Sequence, residues 1–495
     1  MNKKNTIKKI IIIAAIVVVV LTCALVLVFC SGDEHIPGRT VKKSISDATC
    51  ANRGSYYEIV YCLKCNEEIS KTVKYIDRLQ HNFVDGICTM CDFDTSVQES
   101  TAGLSFLLSR DEKGREVYHL QDIGDCLYEE EIVIGTYNGR PVTKILYGAL
   151  EQCKNIKRIV IHDTVEQIEA YAFDGCSSLE SIVLPNNKYF EKIEFGTFRS
   201  CESLKTIDIP ETVKNISDQA FFRCTSLENV TLPSNLREIG TNAFKDCTAF
   251  TEITIPAKLT TIGKSSFAQC INVTKLNISN GVAIIDNQAF YGCKSLVDVS
   301  LPASLSEIGE DAFNGCTALE TIVLGNNIKT IKAQAFYSCS ALSSITLGSN
   351  VSEIHTAAFS NCTSLASIEI PSSVTILGAN VFSECDSLTE VVFPDSVIRL
   401  YDETFNGCDS LKKVTFGSGL KHLGARTFLN CGSLEEVVFV DPNNWQRTDN
   451  DTYKGGENIQ KKYLSNSKTA AVCMQKEKDN GQEWIGLLYS YLKKD

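Results

Sequence analysis

Thirteen cysteines recur at a nearly constant interval through the middle of the chain. Every interval is 23 residues except that from Cys176 to Cys201, which is 25, so two extra residues are expected as a loop or bulge within residues 186–194. Phenylalanine stands three residues before twelve of these cysteines, and leucine usually stands three residues after. A fixed period of this length is typical of repeat architectures. The cysteines are Cys153, Cys176, Cys201, Cys224, Cys247, Cys270, Cys293, Cys316, Cys339, Cys362, Cys385, Cys408 and Cys431.

One period predicts one coil of a solenoid, as the unit from Leu227 to Cys247 illustrates. Its strand pattern L-x-x-I-x-I directs the first, fourth and sixth side chains inward and the fifth outward. A later A-F-x-x-C stretch returns phenylalanine and cysteine to the core. His162 stands where other coils have proline, and we expect it at an exposed strand end. Prolines that close strands, where the coil must turn, are Pro185, Pro210, Pro233, Pro256, Pro302, Pro371 and Pro394.

A single coil cannot bury its apolar side chains, whereas stacked coils share one continuous core. The sequence therefore predicts an α/β-type repeat solenoid dominated by short β-strands, with thirteen 23-residue coils over residues 145–440. We expect an N-terminal cap over residues 102–144. The tail, residues 441–495, contains the run Trp484-Ile-Gly-Leu-Leu-Tyr. This tail is expected to cap the last coil, or alternatively to be a partner-binding strip.

The series A-F-x-x-C-x-x-L-x-x-I-x-I-P resembles the BspA-like leucine-rich repeats of bacterial and some protist surface proteins. The segment Ile132-Val-Ile-Gly-Thr-Tyr-Asn-Gly-Arg-Pro-Val-Thr-Lys-Ile is similar to the stretch that leads into that family's first repeat. The resemblance covers about three fifths of the chain. It implies a curved or elongated leucine-rich repeat solenoid that serves in adhesion and protein binding at the cell surface.

The N-terminal sequence predicts a membrane segment. Residues 10–29 are twenty consecutive uncharged, mostly aliphatic residues, preceded by four lysines and followed by Asp33 and Glu34. Twenty helical residues span about 30 Å, the thickness of a bilayer core. The positive-inside rule then places the C-terminal body outside the cell. We expect residues 1–30 to be a single-pass anchor, with a cleaved signal peptide or a lipid-anchored Cys30 as alternatives; cleavage would make the body secreted.

A second cysteine group lies within residues 48–95. Cys62 and Cys65 form one C-x-x-C pair, and Cys88 and Cys91 form another after 22 intervening residues. This spacing is near that of zinc ribbons, in which two such pairs hold a tetrahedral ion. Disulfides or free thiols remain open alternatives. A structural zinc site is the only cofactor that the sequence suggests, because four cysteine ligands leave no open position for a substrate.

The thirteen regularly spaced cysteines, which we call the ladder cysteines, are expected to be structural thiols. Neighbouring coils are close enough for some disulfides, but an odd number of equivalent cysteines cannot pair completely. Cysteine is also a small, readily buried hydrophobe, which suits a core position near phenylalanine.

Composition and motifs argue against several functions. The net charge of −12 disfavours binding to nucleic acid. The six histidines are scattered, and the chain contains no H-E-x-x-H, G-x-S-x-G, Walker A or G-x-G-x-x-G motif. We therefore expect no catalytic residues, no small-molecule substrate and no enzymatic activity.

In each L-x-x-I-x-I strand unit, counted from its leucine, the third and fifth residues should be exposed. Across the coils these residues should form a ligand face. Small hydroxyls and charged residues dominate this face and aromatic residues are missing, which favours many weak contacts over one tight pocket. The structural alternative is that serine and threonine simply suit exposed strands. The candidate ligand residues are Thr206, Asp208, Asn229, Thr231, Glu252, Thr254, Lys275, Asn277, Asp298, Ser300, Ser344, Thr346, Ser367 and Glu369.

Two functional hypotheses follow. The first is a membrane-anchored surface protein whose repeats bind extracellular or host proteins in adhesion. The alternative is a stalk or spacer in the cell envelope that has no specific ligand.

Overall fold

The computed structural model describes residues 37–46, 54–62, 68–76, 83–84, 87–88, 99–448, 455–458, 464–475, 478–479, 482–483 and 490–493. The chain divides into two compact units, one of residues 1–83 with 89–92 and one of residues 84–88 with 93–495. Among the described residues, no helix has the length and apolar character needed to cross a membrane. The anchor predicted for residues 10–29 lies outside them.

Three strands of the first unit form an antiparallel sheet. These are β1 (Pro37–Ser46), β2 (Gly54–Cys62) and β3 (Glu68–Ile76), in that order across the sheet. Two further short strands, β4 (Phe83–Val84) and β5 (Ile87–Cys88), pair with each other.

The second unit begins with a cap of five strands. Among them, β6 pairs antiparallel with β7, and β7 runs parallel to β10. Leu104, Leu120 and Cys126 of this region are buried and join the core of the coils. The strands are β6 (Ser105–Arg110), β7 (Glu116–Asp122), β8 (Glu131–Ile134), β9 (Thr136–Tyr137) and β10 (Arg140–Ile145).

Most coils contribute two short parallel strands, one to a sheet that we call the front sheet and one to a back sheet. The thirteen front positions are twelve strands and one isolated bridge, at Ser367. Inward residues of the pattern are buried, as Leu204, Ile207 and Ile209 are. The front strands are β11 (Arg158–Ile161), β13 (Ser181–Val183), β15 (Thr206–Asp208), β17 (Asn229–Thr231), β19 (Glu252–Ile255), β21 (Lys275–Ile278), β23 (Asp298–Ser300), β25 (Thr321–Val323), β27 (Ser344–Thr346), β30 (Glu390–Val392), β32 (Lys413–Phe416) and β34 (Glu436–Phe439).

The back strands are only two residues long. They are β12 (Gln167–Ile168), β14 (Lys192–Ile193), β16 (Asn215–Ile216), β18 (Glu238–Ile239), β20 (Thr261–Ile262), β22 (Ile284–Ile285), β24 (Glu307–Ile308), β26 (Thr330–Ile331), β28 (Glu353–Ile354), β29 (Ile376–Leu377), β31 (Arg399–Leu400) and β33 (His422–Leu423). From β14 to β33 they form one uninterrupted parallel ladder, whereas the front sheet breaks after β17, β23 and β27.

A tight turn joins each back strand to the next front strand. In this turn, the residue five positions before the ladder cysteine and the residue directly before it both have a left-handed backbone conformation, as at Gln219 (φ 56°) and Arg223 (φ 61°). Their amides donate to carbonyls of the next coil, to Thr241 at 2.9 Å and Lys245 at 2.9 Å. Because left-handed residues interrupt right-handed helix, the described residues of the coils contain no α-helix. The expected strand-dominated solenoid is confirmed, but the helical part of an α/β label does not apply to its coils.

The two extra residues lie in the loop between β13 and β14, as the interval predicts. The Asn187 side-chain amide donates to the Asp163 carbonyl (3.0 Å) and the Val165 carbonyl (2.7 Å), and its oxygen accepts from the Tyr189 amide (2.8 Å). These bonds hold the loop against the preceding coil. The back ladder is interrupted at this place, since β12 pairs with β10 but not with β14.

His162 is buried, with 3% of its surface exposed, so the expectation of an exposed strand end is wrong. Its amide donates to the Ile134 carbonyl at 2.8 Å. Proline has no amide hydrogen, so it could not make this bond to the cap.

The core ends in a closing segment at the C-terminus. The helix α1 packs against β34, and Leu464, Ala470 and Met474 join the core. Strand β39 runs antiparallel to β33, which covers the end of the back ladder. The elements of this segment are β35 (Trp445–Thr448), β36 (Gly455–Asn458), α1 (Ser467–Gln475), β37 (Lys478–Asp479), β38 (Gln482–Glu483) and β39 (Ser490–Lys493). Residues 484–489 of the predicted capping run lie outside the described residues.

Candidate functional site

The front sheet aligns the candidate ligand residues in two columns. Thr206 pairs with Asn229 and Asp208 with Thr231, while Glu252, Lys275 and Asp298 are successive neighbours. Because the period of a strand is two residues, the third and fifth positions of a unit share one face. Twelve of the fourteen side chains are exposed, and Asp208 and Asn277 are half-buried. The columns are discontinuous where the front sheet breaks.

The centre of this face carries a small charged cluster. The Asn277 side-chain amide donates to the Glu252 carboxylate at 2.8 Å, and the Lys275 ammonium lies 3.8 Å from the same carboxylate. These three side chains therefore satisfy one another in part.

Most other polar side chains of the face form no hydrogen bond or ion pair with another of the described residues, unlike many hydroxyls elsewhere on the coils. We call these side chains uncommitted. Thr225, Thr248 and Thr363, each directly after a ladder cysteine, donate to carbonyls one coil earlier at 3.2 Å. The uncommitted side chains are Thr206, Asn229, Thr254, Asp298, Ser300, Ser344, Thr346, Ser367 and Glu369.

Two valines add apolar surface to the same face. Val323 is 66% exposed and Val392 is 54% exposed, and both hold the fifth position of their strand unit. Val323 could have been found by extending the two columns through every coil.

The back sheet carries grooves that the sequence analysis does not predict. One, of about 590 Å³, crosses three coils and is lined by side chains that include Glu307, Lys332, Glu353 and His355. The Lys332 ammonium pairs with the Glu307 carboxylate, and His355 Nε2 lies 3.0 Å from the Glu353 carboxylate. The sequence does contain a signal for this groove, because charged residues recur beside the inward isoleucine of the back strands. Four of its charged or titratable side chains are thus paired with one another, and Glu310 and Lys329 also line the groove.

A cluster of aromatic rings on the first turns was also missed. Tyr147 and Tyr171 meet edge to face at 5.4 Å, as do Tyr171 and Phe195 at 5.1 Å. The Arg199 guanidinium lies over the Tyr171 ring at 4.7 Å and pairs with the buried Asp174 carboxylate. These contacts join the first coils to one another and lie outside the front face.

The ladder cysteines are free and buried, as the sequence predicts. Burial raises the pKa of the Cys293 and Cys339 thiols to about 12. Deprotonation is unfavourable there because a thiolate would lose its hydration. These thiols are therefore poor nucleophiles, which fits a packing role.

The zinc site at the two C-x-x-C pairs stays a prediction. Cys62 ends β2 and Cys88 ends β5, but their side chains, and Cys65 and Cys91 entirely, lie outside the described residues. Within the described part of the chain, no group of three or more histidine, cysteine or acidic side chains is placed to hold a metal.

Known proteins provide an independent comparison. The family described as BspA type leucine rich repeat region matches residues 143–274, 260–389 and 375–471, in six copies. No curated protein matches the chain.

Several solved structures are similar. A leucine-rich repeat protein from Bacteroides ovatus is 25% identical, with a TM-score of 0.55, over 69% of this chain and 93% of that chain. A leucine rich cell surface protein from Faecalibacterium prausnitzii is 23% identical, with a TM-score of 0.43, over 70% and 96%. The pneumococcal vaccine antigen PcpA is 17% identical, with a TM-score of 0.36, over 69% and 87%. The first likeness supports the solenoid fold.

Proposed function

Because the chain belongs to the BspA-type leucine-rich repeat family, we propose that it is a cell-surface adhesion protein that binds extracellular or host proteins through its front face. Proteins of this kind are generally interaction scaffolds rather than enzymes. The proposal includes no small-molecule substrate and no nucleic acid, in keeping with the net charge of −12.

The uncommitted side chains of the front face carry the proposal. Nine of its fourteen candidate residues have polar groups that the stack of coils does not use, whereas hydroxyls beside the ladder cysteines are bonded to the neighbouring coil. Where neighbouring front strands pair, these side chains lie about 4.8 Å apart, which suits a ligand that makes many weak contacts in parallel. Val323 and Val392 would add apolar contact to this polar surface.

The N-terminal part of the proposal comes from sequence. Residues 10–29 would anchor the protein in the membrane and leave its body outside the cell. Residues 48–95 would form a zinc-ribbon-like module, with Cys62, Cys65, Cys88 and Cys91 holding a structural zinc ion.

The test uses three substitutions on the front face, Thr254→Arg, Ser300→Arg and Thr346→Arg. The matched control places arginine three residues later in the same coils, as Ala257→Arg, Ala303→Arg and Ser349→Arg, at exposed sites beyond the strand ends. The full-length chain in mild detergent is applied to immobilised matrix proteins, mucins and whole cells, at low and physiological salt. We expect saturable binding that the front variant loses by tenfold or more, about 1.4 kcal/mol, while the control retains it.

The two alternatives separate cleanly in this experiment. Equal binding by the front variant and the control would remove the front face as the ligand site. Absence of saturable binding to every probe would favour the envelope spacer, whose outer residues need only keep the coils soluble.

A further inference from the structure

Cys153 is held differently from the rest of the ladder. Each of the twelve later ladder thiols donates to a backbone carbonyl of the preceding coil, at 3.0–3.4 Å. The nearest acceptor of the Cys153 thiol is instead the Glu151 carbonyl, two residues away at 3.8 Å. That contact lies at the long limit for a sulfur hydrogen bond, so Cys153 is the least constrained thiol of the ladder.

The position of Cys153 at the start of the stack explains this difference. The later acceptors are carbonyls of Leu150 or of ladder phenylalanines. The carbonyl at the corresponding distance before Cys153 is that of Leu127, which accepts from the Asn155 side-chain amide at 2.8 Å, and the Leu127 and Tyr128 side chains are exposed. Cys153 also keeps 7% of its surface exposed, whereas Cys176 is fully buried.

Cys176 lies directly beside Cys153, one coil further along. Backbone bonds from the Leu150 amide to the Ala172 carbonyl (2.9 Å) and from the Gln152 amide to the Asp174 carbonyl (2.7 Å) hold the two turns together. Adjacent strands lie about 4.8 Å apart, within the Cα separation of 4.4–6.8 Å that a disulfide spans. The Cys176 thiol, which donates to the Leu150 carbonyl at 3.0 Å, lies close enough to the Cys153 sulfur to lower the pKa of Cys153. The same contact, together with burial, raises the pKa of Cys176 well above its usual value. The pKa of interior thiols such as Cys224 is raised by burial.

We propose that Cys153 and Cys176 are a redox pair, which a small-molecule disulfide oxidises to a disulfide bond between the first two turns of the ladder. The Cys153 thiolate attacks one sulfur of the small disulfide, which forms a mixed disulfide and releases one small thiolate. The Cys176 thiol then attacks the Cys153 sulfur, passes its proton to the small thiolate already released, and expels the second small thiolate. The two cysteines lose two protons and two electrons, and the small disulfide is reduced to two thiols. The product ties the coil nearest the cap to its successor.

The probe for the test is oxidised glutathione, applied to the full-length native chain at about pH 8, near the pKa of an ordinary thiol. Free thiols are then blocked with iodoacetamide and peptides are identified by mass spectrometry. We expect one crosslink in the repeats, between Cys153 and Cys176. Without glutathione, iodoacetamide should label Cys153 at least about ten times faster than it labels Cys293.

Two variants make the assignment specific. Cys176→Ser should leave a glutathione mixed disulfide on Cys153, and Cys153→Ser should leave Cys176 unmodified. Circular dichroism confirms that both variants fold. A mixed disulfide on Cys153 that never proceeds to the crosslink in the natural chain would overturn the pairing, as would crosslinks between interior ladder cysteines. Equal labelling of Cys153 and Cys293 would overturn the distinction between the first thiol and the rest.

Discussion

The rings of Phe313 and Phe336 lie 5.6 Å apart between centroids, with only 1° between their planes. The same relationship recurs from Phe173 to Phe428, with centroid distances of 5.0–5.8 Å and planes within 17° of parallel. Twelve rings thus form one stack through the core. Each inner ring contacts a ring on both sides, so the stack couples each inner coil to its two neighbours.

Removing an inner ring should therefore destabilise the solenoid strongly. For Phe313→Ala we expect a loss of about 3–5 kcal/mol in the free energy of unfolding, because a large buried side chain is replaced by a cavity. Urea unfolding measures the loss in the free energy of unfolding, and hydrogen exchange shows which coils are destabilised. Phe173→Ala, at the end of the stack, removes one ring contact instead of two and should cost less. Equal costs would mean that the coils do not depend on ring stacking.

Ser266 offers a stabilising substitution. It is fully buried in the position that alanine holds in most coils, and its hydroxyl has no hydrogen-bond partner among the described residues. The Thr404 hydroxyl, at the same position, donates to the Tyr401 carbonyl at 2.7 Å. Since an unsatisfied buried hydroxyl is unfavourable, Ser266→Ala should raise the free energy of unfolding by about 1 kcal/mol. Urea unfolding tests this.

The control for Ser266 is the reverse change in the next coil. Ala289→Ser introduces a hydroxyl at the equivalent buried site and should lower stability by about the same amount. If Ser266→Ala is destabilising, the hydroxyl has a partner that the structure does not reveal.

Two ion pairs that join neighbouring coils should differ in strength. Asp174 is buried and accepts two bonds from the Arg199 guanidinium, at 2.9 and 2.5 Å, whereas the Lys205–Glu180 pair at 2.9 Å is exposed. Arg199→Leu leaves a buried carboxylate without its partner and should cost about 2–4 kcal/mol, less than a fully buried pair because Arg199 is partly exposed. Lys205→Leu should cost under about 1 kcal/mol. Chemical unfolding of both variants compares them, and similar costs would contradict the difference in burial.

The cap should lose stability in mild acid through His119. Burial lowers the pKa of His119, the charge of Lys144 lowers it further, and Glu169 opposes both. The folded chain therefore binds this proton less readily than the unfolded chain, whose histidine pKa is about 6.5. Stability is unaffected above that pH and falls as the pH drops below it. His119→Gln should make the free energy of unfolding less dependent on pH between about 6.5 and 5.

An NMR titration separates the causes of the His119 shift. Lys144→Met should raise the pKa of His119, and Glu169→Gln should lower it further. Unchanged titration in both variants would leave burial as the only cause.

Much of the coil could be predicted from spacing alone. The inward positions of Leu204, Ile207 and Ile209, the outward third and fifth positions, and the loop after β13 all follow from periodicity. The left-handed turn was missed, although glycine or asparagine directly before a ladder cysteine, as at Gly292 and Asn361, is a signal for it. The signal is partial, because residues such as Gln219 and Arg223 take the same conformation. Backbone bonds to the next coil hold these residues in place, and such bonds leave no signature in one repeat.

The period, the register of each coil and the side chains that reach the core all follow from the residue pattern, because one coil is a local unit whose apolar residues specify its inside. How neighbouring coils meet follows only from their packing in three dimensions. In the stack, hydroxyls beside the ladder cysteines form hydrogen bonds to the preceding coil, whereas those of Ser344 and Thr346 form none with the described residues. The packing also gives Cys153 a partner but no carbonyl of a preceding turn. These outcomes depend on contacts between residues about 23 positions apart, and stacking, rather than local preference, fixes such contacts.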